Sequence, residues 1–345
     1  MNITYNTFKT LIKLLTFSLI IGCGRSKKDT ELFFIQGNVA YKKGNYEEAI
    51  KFYTEAIDKT PKFADAYNNR GSVKLAMDNL AGAISDFEEA VSIDNKFYMA
   101  KYNLAEAYSR GNDKLDESID LLRQISVQYK DSSFYYVTLS NALIAKSNFA
   151  EASANLAMAI KLDDRNDKAY TNLGFISYSD KDYISAKQYF EKALVINPKQ
   201  DFALNNLSLI FAQENSYIKA LETIEKAIVL NKNSVYENNK GYYLLNLGKL
   251  EEGKNIIENV LTNDNSNAWA FRNLGFYYLK TKDFAKAQTN FEKCDKLNPS
   301  VELLNYYLGL TQQSLGNKTE ACKYWSIGQK LNEQKSIEMS AKVCK

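Results

Sequence analysis

Apolar residues recur along this chain at helical spacing, in blocks of about 34 residues. The block 167–200 has tyrosine, leucine and glycine at positions 4, 7 and 8, alanine and phenylalanine at positions 20 and 24, and proline at position 32. Residues three or four apart lie on the same face of a helix. The spacing therefore predicts helices with an apolar face, repeated along most of the chain.

Two positions of each block predict how these helices pack. Position 8 is small, where two helices cross closely, and position 24 is bulky, so that facing helices can interdigitate. All three prolines, Pro61, Pro198 and Pro299, fall at position 32, where they end a helix. The residues at position 8 are Gly37, Gly71, Ala105, Ser140, Gly174, Ser208, Gly241, Gly275 and Gly309. Those at position 24 are Tyr53, Phe87, Leu122, Leu156, Phe190, Ile224, Ile257, Phe291 and Trp325.

This pattern resembles the tetratricopeptide repeat, a pair of antiparallel helices that buries its apolar face only against neighbouring copies. The resemblance implies an all-α protein, an α-solenoid (superhelix) of nine helix-turn-helix repeats with a C-terminal capping helix at 336–345. No shift in composition divides the array, so we expect one solenoid. The expected repeats are 30–63, 64–97, 98–132, 133–166, 167–200, 201–234, 235–267, 268–301 and 302–335.

Two repeats depart from the common length. The third has one extra residue, which we place in the turn 111–114, and the seventh is one residue short near Tyr236. Both also have a large residue, Ile125 or Val260, at position 27, where alanine is usual. We expect the least regular helix packing in these two repeats.

The N-terminal residues differ from the repeats. Lys9 and Lys13 precede the apolar run 14–21, which is too short to span a bilayer as a stable helix. The run is followed by Gly22 and Cys23, and this ending resembles the lipobox of bacterial lipoproteins. The alternative is an ordinary signal peptide with a stray cysteine.

The lipobox resemblance implies a cleaved signal peptide, residues 1–22, and a mature chain that begins at an acylated Cys23, with fatty acids such as palmitate as the anchor. The short tether 23–29 would hold the repeats close to the membrane. Gly24, rather than Asp, follows the cysteine. In lipoproteins of this kind that choice implies the outer membrane of the bacterial envelope.

The other cysteines have separate predicted roles. Cys294 takes position 27 of the eighth repeat and is expected to be a small core residue. Cys322 lies about as far before the turn near Glu333 as Cys344 lies beyond it, so the two come level in an antiparallel helix pair. We therefore predict a Cys322–Cys344 disulfide, which a location outside the cytoplasm would preserve. The alternative is two free thiols.

Composition argues against catalysis. The chain has no histidine, which removes the commonest general base and the commonest metal ligand. It also has no phosphate-binding loop, no glycine-rich dinucleotide turn and no Cys-x-x-Cys. A formal net charge of +3 gives no strong field for nucleic acid. We therefore expect no enzyme, no cofactor, no metal and no nucleic-acid partner.

The resemblance implies that the first helix of each repeat lines a concave groove. At position 6, which faces the groove, asparagine recurs, and a primary amide can hold the N–H and C=O of an extended polypeptide together. The row resembles the asparagine ladder of some tetratricopeptide superhelices. The alternative is that asparagine is common at this position of the repeat and contacts water. The expected ladder is Asn69, Asn103, Asn172, Asn206, Asn239 and Asn273.

Aromatic and aliphatic residues are interleaved with these amides. The few charged residues among the groove positions are Glu106, Arg272 and Lys280. Apolar side chains on an open face predict pockets for a partner. The alternative, expected for about half of them, is packing between neighbouring first helices. The aromatic groove residues are Phe175, Tyr178, Phe202, Tyr242, Trp269 and Phe276, with Tyr102, Phe134, Leu209 and Leu310 as further groove positions.

These features predict a membrane-anchored, non-enzymatic scaffold or adaptor that holds a protein or extended peptide in its groove, in an envelope assembly, secretion or cell-wall complex. The clamp that other members use for C-terminal carboxylates is not expected, because Phe34 stands where it needs a lysine. Two alternatives stay open. Aromatic and amide side chains also suit a glycan, and the array could be a purely architectural oligomer.

Overall fold

The computed structural model describes residues 27–344, and all the regular secondary structure in that range is helical. The predicted signal peptide and Cys23 lie outside the described residues. Contacts between residues divide the chain into two compact units, unit 1 up to Ala169 and unit 2 from Tyr170. The all-α solenoid of paired helices is confirmed. The interpretation of all nine repeats as one uninterrupted array stays a prediction.

Unit 1 is a stack of helix hairpins. Each hairpin consists of a first and a second helix, and the second helix of one hairpin packs on the first helix of the next. First helices also contact each other, α3 with α5 and α5 with α8. The helices are α1 (27–42), α2 (Tyr46–Lys59), α3 (Ala64–Ala76), α4 (Leu80–Ile93), α5 (Tyr98–Gly111), α6 (Leu115–Gln124), α7 (Ser126–Tyr129), α8 (Ser133–Ala145) and α9 (Phe149–Leu162).

Unit 2 continues the same pattern, and its first helices α12, α14, α16 and α18 contact one another in sequence. Helix α20 packs on α19 and α18 and covers the last hairpin. The helices are α10 (Asp167–Ser179), of which unit 2 contains the part from Tyr170, α11 (Tyr183–Ile196), α12 (Asp201–Gln213), α13 (Tyr217–Leu230), α14 (Ser234–Asn246), α15 (Leu250–Asn263), α16 (Ala268–Lys280), α17 (Phe284–Leu297), α18 (Leu304–Ser314), α19 (Lys318–Lys330) and α20 (Gln334–Val343).

The small and large positions of the repeat face each other inside each hairpin. A Cβ atom on Gly71 would lie 2.7 Å from the ring of Phe87, and one on Gly275 would lie 2.6 Å from the ring of Phe291. Both rings are fully buried. Because real Cβ contacts are not this short, only glycine lets the two helices cross at this distance. The predicted small-against-large packing is therefore present in both units.

A left-handed residue closes the turn inside each hairpin. It ends the first helix and reverses the chain, which glycine and asparagine tolerate best. Glycine fills this place in some repeats, and in the others an L-residue adopts the left-handed conformation. The turn residues are Gly44, Asp78, Asn112, Ser147, Lys181, Asn215, Gly248, Lys282 and Gly316, with φ between 56° and 85°.

Of the two repeats of unusual length, only the third has a broken helix, whereas α14 and α15 of the seventh are regular and Val260 does not interrupt α15. The extra residue of the third repeat lengthens α5 to Gly111 and places Asn112 in the left-handed turn. The second helix of that repeat is broken at Ile125, the large residue at position 27, into α6 and α7. In the seventh repeat the loss falls in the loop 231–233, and α14 begins at Ser234.

The C-terminal end is held by a covalent bond. The sulfur atoms of Cys322 and Cys344 are bonded, with their Cα atoms 5.7 Å apart, as predicted from the sequence. The capping helix begins at Gln334 rather than at 336. Its N-cap, Glu333, is buried and accepts hydrogen bonds from the Tyr306 backbone N–H (3.1 Å) and the Ser336 hydroxyl (2.7 Å). Burial raises the pKa of this carboxyl above its ordinary value.

Candidate functional site

A row of exposed apolar side chains marks the beginning of several first helices. Each is the second residue of its helix, so within each unit the repeat brings them to equivalent places on neighbouring hairpins. Phe134 in unit 1 is 62% exposed, and Phe202 and Trp269 in unit 2 are 58% and 41% exposed. We call this set the apolar row: Met99 and Phe134 in unit 1, and Phe202, Val235 and Trp269 in unit 2.

The members of the apolar row in unit 2 stay exposed among the described residues. In unit 2 its three members lie on α12, α14 and α16, consecutive first helices that contact each other. Exposed large apolar side chains that recur side by side mark interaction surfaces more often than isolated ones do. Met99 and Val235 were absent from the sequence-based groove residues. Their place, second in a first helix, was the signal that could have found them.

Four of the predicted ladder asparagines, Asn69 among them, connect neighbouring first helices within the chain. The Nδ2 atom of Asn103 donates to Asn68 Oδ1 over 2.8 Å, and Asn239 donates to Asn205 Oδ1 over 2.9 Å. Asn273 is fully buried and donates to Asn238 Oδ1 over 2.9 Å. Each bond spans from one first helix to the preceding one. These amides therefore hold adjacent hairpins in register, a role that neither sequence-based alternative included.

Asn69 is the fourth of these and is half-buried, as are the two remaining ladder asparagines, Asn172 and Asn206. Asn69 donates to Asn38 Oδ1 over 2.9 Å and accepts a bond from Asn68 over 3.2 Å. Asn206 donates to the carbonyl of Phe202 in its own helix, over 2.8 Å. Asn172 is half-buried on α10. The six amides are thus not equivalent, and they do not present one uniform row to a ligand.

The six predicted aromatic groove residues divide by exposure. Phe175, Phe202 and Trp269 are exposed, Phe276 is buried, and Tyr178 and Tyr242 are half-buried. The Phe276 ring lies 5.0 Å from the ring of Tyr307 and 5.7 Å from that of Tyr242. The hydroxyls of Tyr242 and Tyr307 are 3.4 Å apart. Phe276 and Tyr242 therefore pack between first helices.

Tyr178 is also enclosed by its surroundings. Burial and the nearby Glu302 carboxylate raise the pKa of Tyr178 above its ordinary value. Glu302 accepts a hydrogen bond of 3.0 Å from Gln213, at the end of α12. Residues of α10 and α12 and the segment before α18 thus meet around this phenol. The open part of the first-helix face in unit 2 lies at Phe175 and along the apolar row.

The three charged groove residues have different environments. Glu106 forms an ion pair of 2.6 Å with Arg110, one turn along α5. Lys280 is exposed, with its ammonium 5.0 Å from the centre of the Phe276 ring. Arg272 is buried against aromatic rings.

Residues 27–344 contain neither a candidate metal site nor a candidate membrane-spanning helix. No group of three or more His, Cys, Asp and Glu side chains is placed to hold a metal ion within that range. Among the helices described there, none is both long enough and apolar enough to cross a membrane. Cys294 is a buried free thiol.

Comparison with known proteins gives matches to repeat families and to parts of larger proteins. A segment of mouse sperm-associated antigen 1 is 34% identical over 105 residues, which is 30% of this chain and 11% of that protein. Human DnaJ homolog subfamily C member 7 is 38% identical over 72 residues, 21% of this chain and 15% of that protein. The chain thus spans only a small part of the length of these curated relatives.

Among solved structures, YrrB, described as a TPR protein with an unusual peptide-binding site, covers 54% of this chain at 24% identity, with a TM-score of 0.42 and 96% of its own chain aligned. MamA from Desulfovibrio magneticus RS-1 covers 50% of this chain at 17% identity, with a TM-score of 0.46 and 97% of its own chain aligned.

Three of the family matches coincide with whole helix hairpins, and two others overlap them. Models described as tetratricopeptide repeat match residues 64–97, 167–200 and 272–301, and also 99–132, and a model described as TPR repeat matches 37–78. Such repeats form protein–protein interaction scaffolds, and their fold is typically non-catalytic. Because the matches fall in both units and three of them cover whole hairpins, the chain is a tetratricopeptide-repeat protein.

Proposed function

We propose that this protein is a membrane-anchored scaffold that holds an extended polypeptide on the first-helix face of unit 2, along the members of the apolar row in that unit. The observation that carries the proposal is the exposure of Phe202, Val235 and Trp269 at equivalent places on three contacting helices. When a partner removes such a regular apolar surface from water, the free energy of the system falls. A polypeptide supplies apolar groups at regular intervals, as the row requires.

The spacing of the row suggests what such a polypeptide looks like. Packed helix axes lie about 8–10 Å apart. In a polyproline II conformation every third residue returns to the same side after about 9 Å. A partner with apolar residues at i, i+3 and i+6 would therefore place one side chain against each of the three row members in unit 2. A strand with alternating sides fits this interval less well.

Anchoring to the outer membrane is part of the proposal and rests on the N-terminal sequence. Lys9, Lys13, the apolar run 14–21 and Cys23 support a lipidated N-terminus. We expect wild-type protein expressed in a bacterial host to incorporate a palmitate analogue and to sediment with outer membranes. A Cys23→Ser variant should lose the label. Equal labelling of both proteins would contradict the anchor. An anchored scaffold of this kind would serve an envelope assembly, secretion or cell-wall complex.

Peptide selection on the purified protein tests the binding function. A displayed library of random dodecapeptides is selected on the wild-type chain and on a triple variant, Phe202→Ser, Val235→Ser and Trp269→Ser. We expect wild type to enrich peptides with apolar residues at intervals of three, and the triple variant to lose this enrichment. Because the three side chains are exposed, the helical content of the variant should be unchanged.

Unit 2 offers a matched control on its second helices. Ile184 on α11, Val195 on α11 and Ile218 on α13 are also exposed, the first two at 76% and 78%. Changing these three residues to serine removes exposed apolar surface from the second helices, in place of the apolar row on the first helices. Selection should survive this control variant. Loss in both variants, or in the control alone, would contradict the first-helix face as the site. Binding of pure oligosaccharides with no peptide enrichment would favour the glycan alternative.

A further inference from the structure

Arg272, on α16, is buried without a counter-ion among the described residues. It is 6% exposed, and its guanidinium carbon lies 4.7 Å from the ring centre of Tyr242 and 5.2 Å from that of Trp269. No residue in the range 27–344 forms an ion pair with its side chain, and Nε is fully buried with no acceptor. A positive charge and at least one hydrogen-bond donor are thus unmatched within the described chain.

This arrangement costs stability. An unpaired charge that is removed from water costs several kcal/mol, and each contact between a cation and an aromatic ring returns about 0.5–2 kcal/mol. The two rings therefore offset only part of the cost. A buried charge that is kept without a counter-ion at a cost in stability is a candidate for a functional role.

Two of the nearest titratable groups do not supply the missing anion. Burial raises the pKa of the Cys294 thiol to about 12 and that of Tyr307 well above its ordinary value, so both stay neutral at pH 7. Burial also opposes ionisation of Tyr242, but the Arg272 cation and the Tyr307 hydroxyl lower its pKa below the ordinary value. The unpaired Arg272 cation thus stabilises negative charge on the groups around it.

We propose that Arg272, Tyr242 and Trp269 form a subsite for a carboxylate on the bound polypeptide, that of an aspartate or glutamate side chain. This inference rests on the proposed function, since Trp269 belongs to the apolar row and flanks the guanidinium. A guanidinium presents a planar fork of donors that matches a carboxylate. Arg272 is 6% exposed, so part of the residue is open to a ligand.

The neighbouring Trp269 favours a polypeptide over a free anion. Its exposed ring gains from an apolar partner, which inorganic phosphate does not offer. A segment with an acidic residue beside an apolar one would satisfy Arg272 while its apolar side chain covers Trp269.

The test compares matched synthetic peptides on the purified full chain. The peptides are taken from the dodecapeptide selection, each is made with Glu and with Gln at its acidic position, and both are made with free and amidated C-termini. We expect Glu peptides to bind wild type about tenfold more tightly than Gln peptides, as a charged hydrogen bond predicts. Amidation should leave the ratio unchanged. A ratio that disappears on amidation would assign the subsite to the C-terminal carboxylate and overturn the proposal.

Three variants locate the effect. Arg272→Met should bind the Glu and Gln forms equally, Arg272→Lys should retain part of the difference, and Lys280→Met, which removes an exposed cation from the same helix, should retain all of it. An undiminished difference in Arg272→Met overturns the subsite while leaving the apolar row intact. Selection that enriches no peptide on wild type overturns the proposed function and the subsite together. Because the Glu-to-Gln comparison is made on wild type, it does not depend on the folding of any variant.

Discussion

Two arginines on first helices, Arg70 in unit 1 and Arg272 in unit 2, have opposite electrostatic environments. Arg70 is held by Asp86, with Nε to Oδ2 at 2.9 Å and Nη2 to Oδ1 at 2.7 Å. Lys74 also binds Asp86, over 2.7 Å. Arg272 is in contact with two aromatic rings and has no carboxylate partner among the described residues.

The difference indicates that the same residue type serves two purposes. In unit 1 a buried carboxylate satisfies two cations and connects α3 to α4, so the cluster stabilises its hairpin. In unit 2 the Arg272 guanidinium is buried against aromatic side chains, and its N–H donors remain available to a ligand. We expect unit 1 to depend on its ion cluster for stability, and unit 2 to depend on Arg272 for binding alone.

The two units can be observed separately in one sample. Both tryptophans, Trp269 and Trp325, belong to unit 2. Tryptophan fluorescence therefore reports the unfolding of unit 2, whereas circular dichroism reports the helices of both units. The difference between the two signals isolates unit 1.

The largest expected effect is the loss of Asp86. An Asp86→Ala variant leaves Arg70 and Lys74 without their anion and should lower the free energy of unfolding of unit 1 by about 3 kcal/mol. Urea unfolding followed by circular dichroism should show the loss, with the fluorescence transition unchanged. Glu106→Ala, which removes a more exposed pair with Arg110, is the control and should cost under about 0.5 kcal/mol. Equal losses in the two variants would contradict the role of the cluster.

Reduction of the Cys322–Cys344 disulfide should affect unit 2 alone. The bond closes a loop with a sequence separation of 22 residues, and constraint of the unfolded chain over such a loop contributes about 3 kcal/mol. A reductant should move the fluorescence transition of wild type to lower urea. The same reductant should not move that of a Cys322→Ser, Cys344→Ser variant. A wild-type transition that does not respond would show that the bond adds no stability.

Replacement of each arginine by methionine compares the two environments directly. Arg272→Met removes an unpaired buried charge and keeps an apolar stem, so unit 2 should be unchanged or more stable by about 1 kcal/mol. Arg70→Met removes a paired cation and should lower the stability of unit 1 by about 2 kcal/mol, a charged hydrogen bond being worth that much. Urea unfolding by the two signals measures both. Equal destabilisation would mean that Arg272 has a structural partner.

The smallest expected effect concerns the left-handed turn residues. Lys282 and Asn112 both have positive φ. This conformation is sterically unfavourable for lysine, whereas asparagine adopts it more readily. Lys282→Gly should therefore stabilise unit 2 by about 0.5 kcal/mol after the entropic cost of glycine is subtracted. Asn112→Gly should leave unit 1 nearly unchanged. A larger gain at Asn112 than at Lys282 would contradict this account of the turns.

The helices and their packing could be predicted because they depend on spacing. Gly275 opposite Phe291 is set by the period of the repeat, and the structure places them in contact. The break at Ile125 could not be predicted from its size alone, because Val260, the large residue at the same position of the seventh repeat, leaves α15 unbroken. The disulfide followed from the antiparallel arrangement of its two helices.

The partners of side chains could not be predicted in the same way. The position of Asn239 in the repeat identifies its helix and its side of the helix, but not that Asn205 on the preceding helix accepts its hydrogen bond. Phe202 and Phe276 are both first-helix aromatics, and only packing decides that one is exposed and the other buried. The lack of a counter-ion for Arg272 is a property of all its neighbours together.

The central claim is that the apolar row on the first helices contacts a polypeptide. Site-specific photocrosslinking in living cells tests it most directly, with the photoreactive residue at Phe202 on the row and at Val195 on a second helix as the control. Both positions are exposed, so each accepts the probe without loss of the fold. We predict a discrete protein adduct at Phe202, identified by mass spectrometry, and none at Val195. An adduct at Val195 with none at Phe202 would contradict the account and move the interface to the second helices.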